Sequence, residues 1–390
     1  VGDILFSIII LPCFFIVFIF SGILVKYVPV ASQGRYSGID GLRGYLALMV
    51  AAHHFYIFYQ WRTGGGWKEP SLVLFNNLGV FAVAVFFMIT GFLFIGKIDK
   101  ARFFNNFDFV GLIKSRLYRI LPLYFFAASI TIFISLCITG FTLKVDYGLF
   151  IKQVLRWFLF VGDSINGYSD AKRITAGVSW TLRYEWFFYL SLFFVYFISK
   201  NRYALVICGF LVALLAMWER DFLIFNSLYF IFFVTGGVAY FLSKSKRLSG
   251  VLDEKLIKSN KSSFAMCGLI IFALTINEKE HLLLFSSISL LFFMFVVLGG
   301  DLFGLLSMTT SKFLGEISYS IYLMHGVVLF IIFNLLFNGV FPLSFFEYCI
   351  LLPVFLFLVV VVSCVTYLKI EHPFILFGKR KNINESSAKV

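Results

Sequence analysis

Long apolar runs divided by short polar segments make up most of this chain. The runs occupy approximately 4–26, 43–61, 72–96, 117–137, 182–199, 204–218, 223–243, 263–276, 282–300, 315–337 and 345–368. A helix of about 20 apolar residues crosses the ~30 Å hydrocarbon layer of a bilayer. The pattern therefore predicts an all-α, polytopic membrane bundle of about ten core transmembrane helices plus an extra N-terminal one. Runs 204–218 and 263–276 are near the short limit for crossing. The first run, from Ile4 to about Lys26, has no basic segment before it and is longer than the ~7–15 apolar residues of a signal peptide. It is expected to be a retained span. The organisation read from the pattern is an N-terminal helix over 1–30, a membrane domain over 36–378 and a frayed cytoplasmic tail over 379–390.

Composition strengthens the membrane assignment. Of the 390 residues, 61% are apolar before the 30 glycines are added, and 14% are charged. Soluble domains of this size have ~25% charged residues, so too little polar surface is present here to wrap one. The net charge of +13 would suit nucleic acid. Its Lys and Arg residues, however, sit in short segments between apolar runs, and no base-reading motif interrupts them, so no nucleic-acid partner is expected. Under an eleven-span count the basic segments 97–116, 200–202 and 244–261 and the residues after Lys369 share one side. Positive-inside asymmetry then predicts a multi-pass protein of the cytoplasmic (inner) membrane, with an extracytoplasmic N-terminus and a cytoplasmic C-terminus. The long segment 138–181 falls outside, and its amphipathic stretch 150–160 is expected to lie at the interface. The six cysteines have no C-x-x-C spacing and read as small buried hydrophobes.

In such a background, polar residues inside apolar runs carry the functional information. In GIDGLRGYLALMVAAHHF, Asp40 and Arg43 stand at the start of a span, and His54 lies about 16 Å further along the helix, near mid-membrane. Histidine exchanges a proton near neutral pH, which suits it to general base catalysis. His53 points about 100° away and is the weaker candidate. In KSRLYRILPLYF, Arg116 and Arg119 share a helical face, where two guanidinium groups can hold phosphate or anchor the helix among lipid head groups. In GVSWTLRYEWFFYLSLFF, Trp180 and Tyr189 suit an interfacial belt, whereas Glu185 needs a partner such as His54 or Arg183. In GEISYSIYLMHGVVLF, Ser318, Tyr322 and His325 fall on one stripe. The five histidines have no H-x-x-x-H spacing, so no metal site is expected. Neither a nucleophile elbow, a P-loop nor a dinucleotide fingerprint is present.

Taken in order, these segments resemble the acyltransferase-3 family of membrane O-acyltransferases, many of which modify bacterial surface polysaccharides. The resemblance rests on Gly41-Leu42-Arg43-Gly44 followed by His54, on Val85-Phe86-Phe87 through Thr90-Gly91-Phe92-Leu93, and on Arg116-x-x-Arg119 with Pro122. It continues through Ser179-Trp180-Thr181-Leu182 with Glu185 and Tyr189, and ends on Ser318-Tyr319 through Tyr322-Leu323 and His325. It implies an O-acetyltransferase-like enzyme that takes an acyl group, acetyl in the simplest case, from cytoplasmic acyl-CoA. The acceptor would be a hydroxyl of a cell-surface or lipid-linked glycan. Acyl-CoA would be a co-substrate, with no tightly bound cofactor. The resemblance selects His54 over His53, implies catalytic roles for His54, Glu185 and Arg43, and gives Arg116 and Arg119 to the CoA donor. Asp40, Trp180, Tyr189, Ser318, Tyr322 and His325 are further candidates. Some relatives carry a soluble esterase-like domain; its absence here implies direct transfer or a separate periplasmic or extracellular transferase as partner.

Two other functions fit the same residues. Intramembrane His, Glu and Arg groups could line the route of a transporter or flippase. The protein could also relay only the acyl group to a second enzyme.

Overall fold

The apolar runs fold as helices in the computed structural model, which describes residues 2–30, 36–199, 221–222, 225–226, 229–245, 254–336 and 343–387. Helix α1 (Gly2–Ser21) is followed by α2 (Ser37–Arg62), α3 (Val73–Phe103), α4 (Phe109–Ile138), α5 (Tyr147–Phe158), the single turn α6 (Ala171–Ile174) and α7 (Ser179–Ser199). After a two-residue β-ladder pairing Asp221–Phe222 with Phe225–Asn226 come α8 (Phe230–Ser243), α9 (Glu254–Ile257), α10 (Asn260–Thr275), α11 (Leu282–Val297) and α12 (Thr309–Glu316). Helix α13 (Ser318–Phe330) continues as a π-helical stretch over Ile331–Leu336. The chain ends in α14 (Phe345–Ile350), α15 (Leu352–Thr366), a second π-helical stretch (Tyr367–Glu371) and α16 (His372–Ser387).

The all-helical expectation holds apart from the short ladder, but the expected number of spans does not. Among the described residues, four helical stretches are long and apolar enough to cross a bilayer: Val73–Phe103, Phe109–Ile138, Ser318–Leu336 and Phe345–Arg380. The reason is physical. Helices Phe230–Ser243, Asn260–Thr275 and Leu282–Val297 are apolar but have at most 16 residues, about 24 Å of helix against the ~30 Å hydrocarbon layer, and of α1 the part Ile9–Ser21 counts among the shorter apolar helices. Helices α2 and α7 have 26 and 21 residues, but polar side chains interrupt them: His53, His54 and Gln60 in α2, and Arg183 and Glu185 in α7. Apolar run length counted both classes as spans. The expected span 204–218 lies outside the described residues. The four long helices make the chain a polytopic membrane protein, while the side assignments based on the parity of eleven crossings lose their basis.

Two close approaches hold the core together. A Cβ on Gly91 would come within 2.1 Å of the Phe233 carbonyl oxygen, and one on Gly236 within 2.1 Å of that of Met88, so α3 and α8 touch backbone to backbone. Helix α2 meets α12 as closely, with the Gly315 position against the Asp40 carbonyl. Small residues allow such contact where lipid provides no hydrophobic drive for helix association. On the outer sides of α4 and α7, Phe133, Phe187, Leu190 and Phe194 are exposed, as lipid-facing residues should be.

The segment between α4 and α7 contains the amphipathic helix expected over 150–160. Asp146 caps α5 by accepting from the backbone N–H groups of Gly148 and Leu149, and Trp157 near the end of the helix is buried. The same segment packs its Thr175–Ala176 backbone directly against Gly326 of α13. At the other end of the chain, α16 packs along α4 and runs to Ser387, where a frayed tail was expected.

Candidate functional site

His54 and His325 meet although 271 residues separate them. His325 Nε2 lies 3.1 Å from His54 Nδ1, and the rings are tilted by 30°. Each Nδ1 also faces the carbonyl one turn back on its own helix: Val50 at 3.1 Å from His54, and Ile321 at 3.2 Å from His325. A carbonyl can only accept, so in neutral rings Nδ1 of each histidine bears the proton. His325 Nε2 then accepts from His54 Nδ1–H, which it shares with Val50. His54 Nε2 is left with its lone pair, the atom a general base needs. His325 is fully buried, and the loop backbone on Gly326 closes that side. His53 is fixed otherwise, with Nδ1 2.7 Å from the Phe75 carbonyl and its ring against Gly79.

The arginines assemble around a separate cavity of about 130 Å³, lined by Arg43 from α2, Arg116 and Arg119 from α4, Glu185 and Tyr189 from α7, and Ser318 and Tyr322 from α13. With Thr90 from α3, five helices thus converge polar residues on one space. Glu185 accepts from the Tyr189 hydroxyl at 2.8 Å, so its partner is Tyr189 within the arginine cluster and not His54. Arg116 places its guanidinium over the Phe94 ring at 5.4 Å. Two buried polar atoms, Arg116 Nε and Ser318 Oγ, have no protein partner. Buried polar groups are normally satisfied, so these two are poised to bond to something that enters.

Tyr322 connects the two clusters. It lines the arginine cavity, its ring lies 6.2 Å from that of His325, and its hydroxyl is 2.8 Å from Thr181 Oγ1. Asp40 and Trp180 do not line the cavity. Asp40 sits exposed in the first turn of α2. Trp180 packs in an aromatic group with Tyr184 and Tyr229, at ring distances of 5.6 and 4.9 Å.

Glu371 is a residue that sequence reasoning missed. It is fully buried, accepts from Ser320 Oγ at 2.8 Å and lies 4.0 Å from Arg119 Nε. It stands in YLKIEHPF just past the last apolar run, among the residues after Lys369 that were grouped with the basic segments. An acid between the last apolar run and the basic pair Lys379 and Arg380 was the available signal, but its burial depends on the stretch Tyr367–Glu371 packing against α4. No cluster of His, Cys, Asp and Glu suited to a metal occurs among the described residues.

Neither a curated protein nor a solved structure matches the chain. The acyltransferase domain family matches residues 36–368, a stretch that takes in both histidines, the three arginines and Glu185. With most of its length matched, the chain belongs to the acyltransferase-3 family.

Proposed function

We propose that this membrane acyltransferase moves a short acyl group, acetyl in the simplest case, from cytoplasmic acyl-CoA to a hydroxyl of a cell-surface or lipid-linked glycan. The observation that carries the reading is the His54–His325 pair, which leaves His54 Nε2 as a base and is linked to the arginine cavity through Tyr322. Arg43, Arg116 and Arg119, with Lys97 nearby, make the cavity end of the bundle basic. Positive-inside asymmetry puts that end in the cytoplasm, where the donor is supplied.

In the reaction, His54 Nε2 takes the proton of the acceptor hydroxyl as its oxygen attacks the thioester carbonyl carbon. The tetrahedral oxyanion is stabilised by donors such as the Tyr322 hydroxyl or an arginine of the cavity. It collapses by breaking the C–S bond, and the leaving thiolate receives the proton from His54. The products are the ester and free CoA. Glu185 acts on the arginines through Tyr189 and does not orient the histidine.

The test uses the protein in proteoliposomes with acetyl-CoA inside and a candidate glycan outside. The glycan should gain the mass of one acetyl group, and His54→Ala should lower the rate at least about 100-fold, the minimum expected for loss of a general base. A folded His54→Ala protein with full activity would sink the assignment. Movement of glycan without donor would favour a transporter, and acetyl release without glycan modification would favour a relay.

A further inference from the structure

Two connections close over the histidine pair at the end of α2 away from the arginine cavity. From the connection between α2 and α3, Trp67 lies nearly parallel to His54, with ring centres 6.3 Å apart and planes inclined by 24°. From the segment between α4 and α7, the Thr175–Ala176 backbone closes on Gly326 beside His325, and Arg173 sets its guanidinium over the Trp61 ring at 4.9 Å. Trp61 follows His54 by two turns on the same face of α2, about 10 Å further along the helix.

Trp67 is held in place while remaining only half-buried. Its loop turns through Gly64 and Gly66, both in left-handed backbone, and Glu69 pairs with Lys279 in the connection between α10 and α11. Trp61 backs it. Phe330 stacks on Trp61 at 6.4 Å, Arg173 lies over it, and Trp67 meets it edge-on at 5.9 Å. A tryptophan that only anchors a helix sits at the lipid head groups; Trp67 turns inward to a histidine. Arg173 also pairs with Asp170 at 2.7 Å, and both side chains remain 30% exposed.

This grouping has the chemistry of a sugar site. A pyranose offers a face of C–H groups that packs on an aromatic ring, and a rim of hydroxyls that bonds to charged donors and acceptors. We propose that Trp67 is the platform on which the sugar ring of the acceptor packs, with Arg173 and Asp170 bonding its rim hydroxyls, so that one further hydroxyl is brought to His54 Nε2. The proposal rests on the glycan-acceptor reading above and adds the residues that select the acceptor. Selection then belongs to the two connections over the histidines, and the donor to the opposite end of α2.

The full chain in phosphatidylcholine nanodiscs tests this, with acetyl-CoA as donor and two kinds of acceptor. Methyl glycosides of hexoses and N-acetylhexosamines have the ring; glycerol offers hydroxyls without one. Trp67→Ala should raise the KM for the glycosides about tenfold, the upper end of what one aromatic contact contributes. The KM for acetyl-CoA and the rate with glycerol should stay unchanged. Trp67→Phe, which keeps an aromatic face, should recover most of the loss. Elution profile and Tm identify a variant that fails to fold, and Trp67→Leu, apolar without an aromatic face, then takes the place of the alanine variant. An unchanged glycoside KM in the folded variant overturns the platform. So does an equal loss with glycosides and glycerol, which would make Trp67 a support for His54 and not a sugar contact. If the unaltered protein acetylates glycerol but no glycoside, the glycan reading fails; if it acetylates neither, acyl transfer itself fails, and the platform falls with either.

Discussion

Arg119 shows how single residues set the character of the site. It faces the arginine cavity, yet it is held in place from behind by Glu371, which is itself fixed by Ser320. Removing one member of a buried charge pair leaves the other uncompensated, at a cost of about 3 kcal/mol. Glu371→Gln keeps the volume and the bond to Ser320 but removes the charge. It should lower Tm and weaken acyl transfer, while Glu371→Asp should restore part of both. Thermal unfolding with parallel rate measurements checks this, and a Gln variant equal to the parent in both would refute it. His54 was legible in the sequence because a histidine eleven residues into an apolar helix has few innocent explanations. Its pairing with His325 was not legible, because nothing in local spacing links residues 271 apart. The pairing of Glu185 with Tyr189 is an i,i+4 relation on one helix, and a nearer reading of that helix would have preferred it to His54.

At the scale of helices, backbone contact positions the cavity walls. The arginine cavity is lined by Val83, Phe86, Thr90 and Phe94 of α3, and α3 in turn lies on α8 through Gly91 and Gly236. Gly236→Leu would drive a side chain into the Met88 backbone and push the helices apart. Overpacking of this kind costs about 1–3 kcal/mol or more, so yield and Tm should both fall. Gly268, which has open space around its Cβ position, is the control: Gly268→Ala should leave both unchanged. Equal behaviour of the two variants would show that the contact does not matter. Gly91 stood in one of the ordered motifs of the sequence. Which helix it meets was not visible there, since Phe233 of α8 follows it by about 140 residues.

For the whole molecule, the arrangement across the membrane is the main consequence. The stretch Phe345–Arg380 has 36 residues, about 54 Å of helix, which exceeds the hydrocarbon layer by some 24 Å. In the orientation proposed above, its basic end with Lys379 and Arg380 projects on the cytoplasmic side. In a background lacking the native cysteines, Lys379→Cys should react with an impermeant maleimide only after spheroplasts are opened. Lys152→Cys on the amphipathic α5 should react from outside. Labelling of both from the same side would overturn the orientation. By itself the sequence determined that this chain is helical, lives in a membrane and belongs with acyltransferases, because apolar excess, helical spacing and ordered motifs are local properties of the chain. It did not determine the number of crossings, since run length does not reveal where a helix breaks or how polar its buried face is. The tertiary structure alone decided that the histidines pair and that Glu371 is drawn into the core against Ser320 and Arg119. Each of these depends on contacts between distant segments, and burial there changes the energy of a charge far more than its neighbours in sequence do.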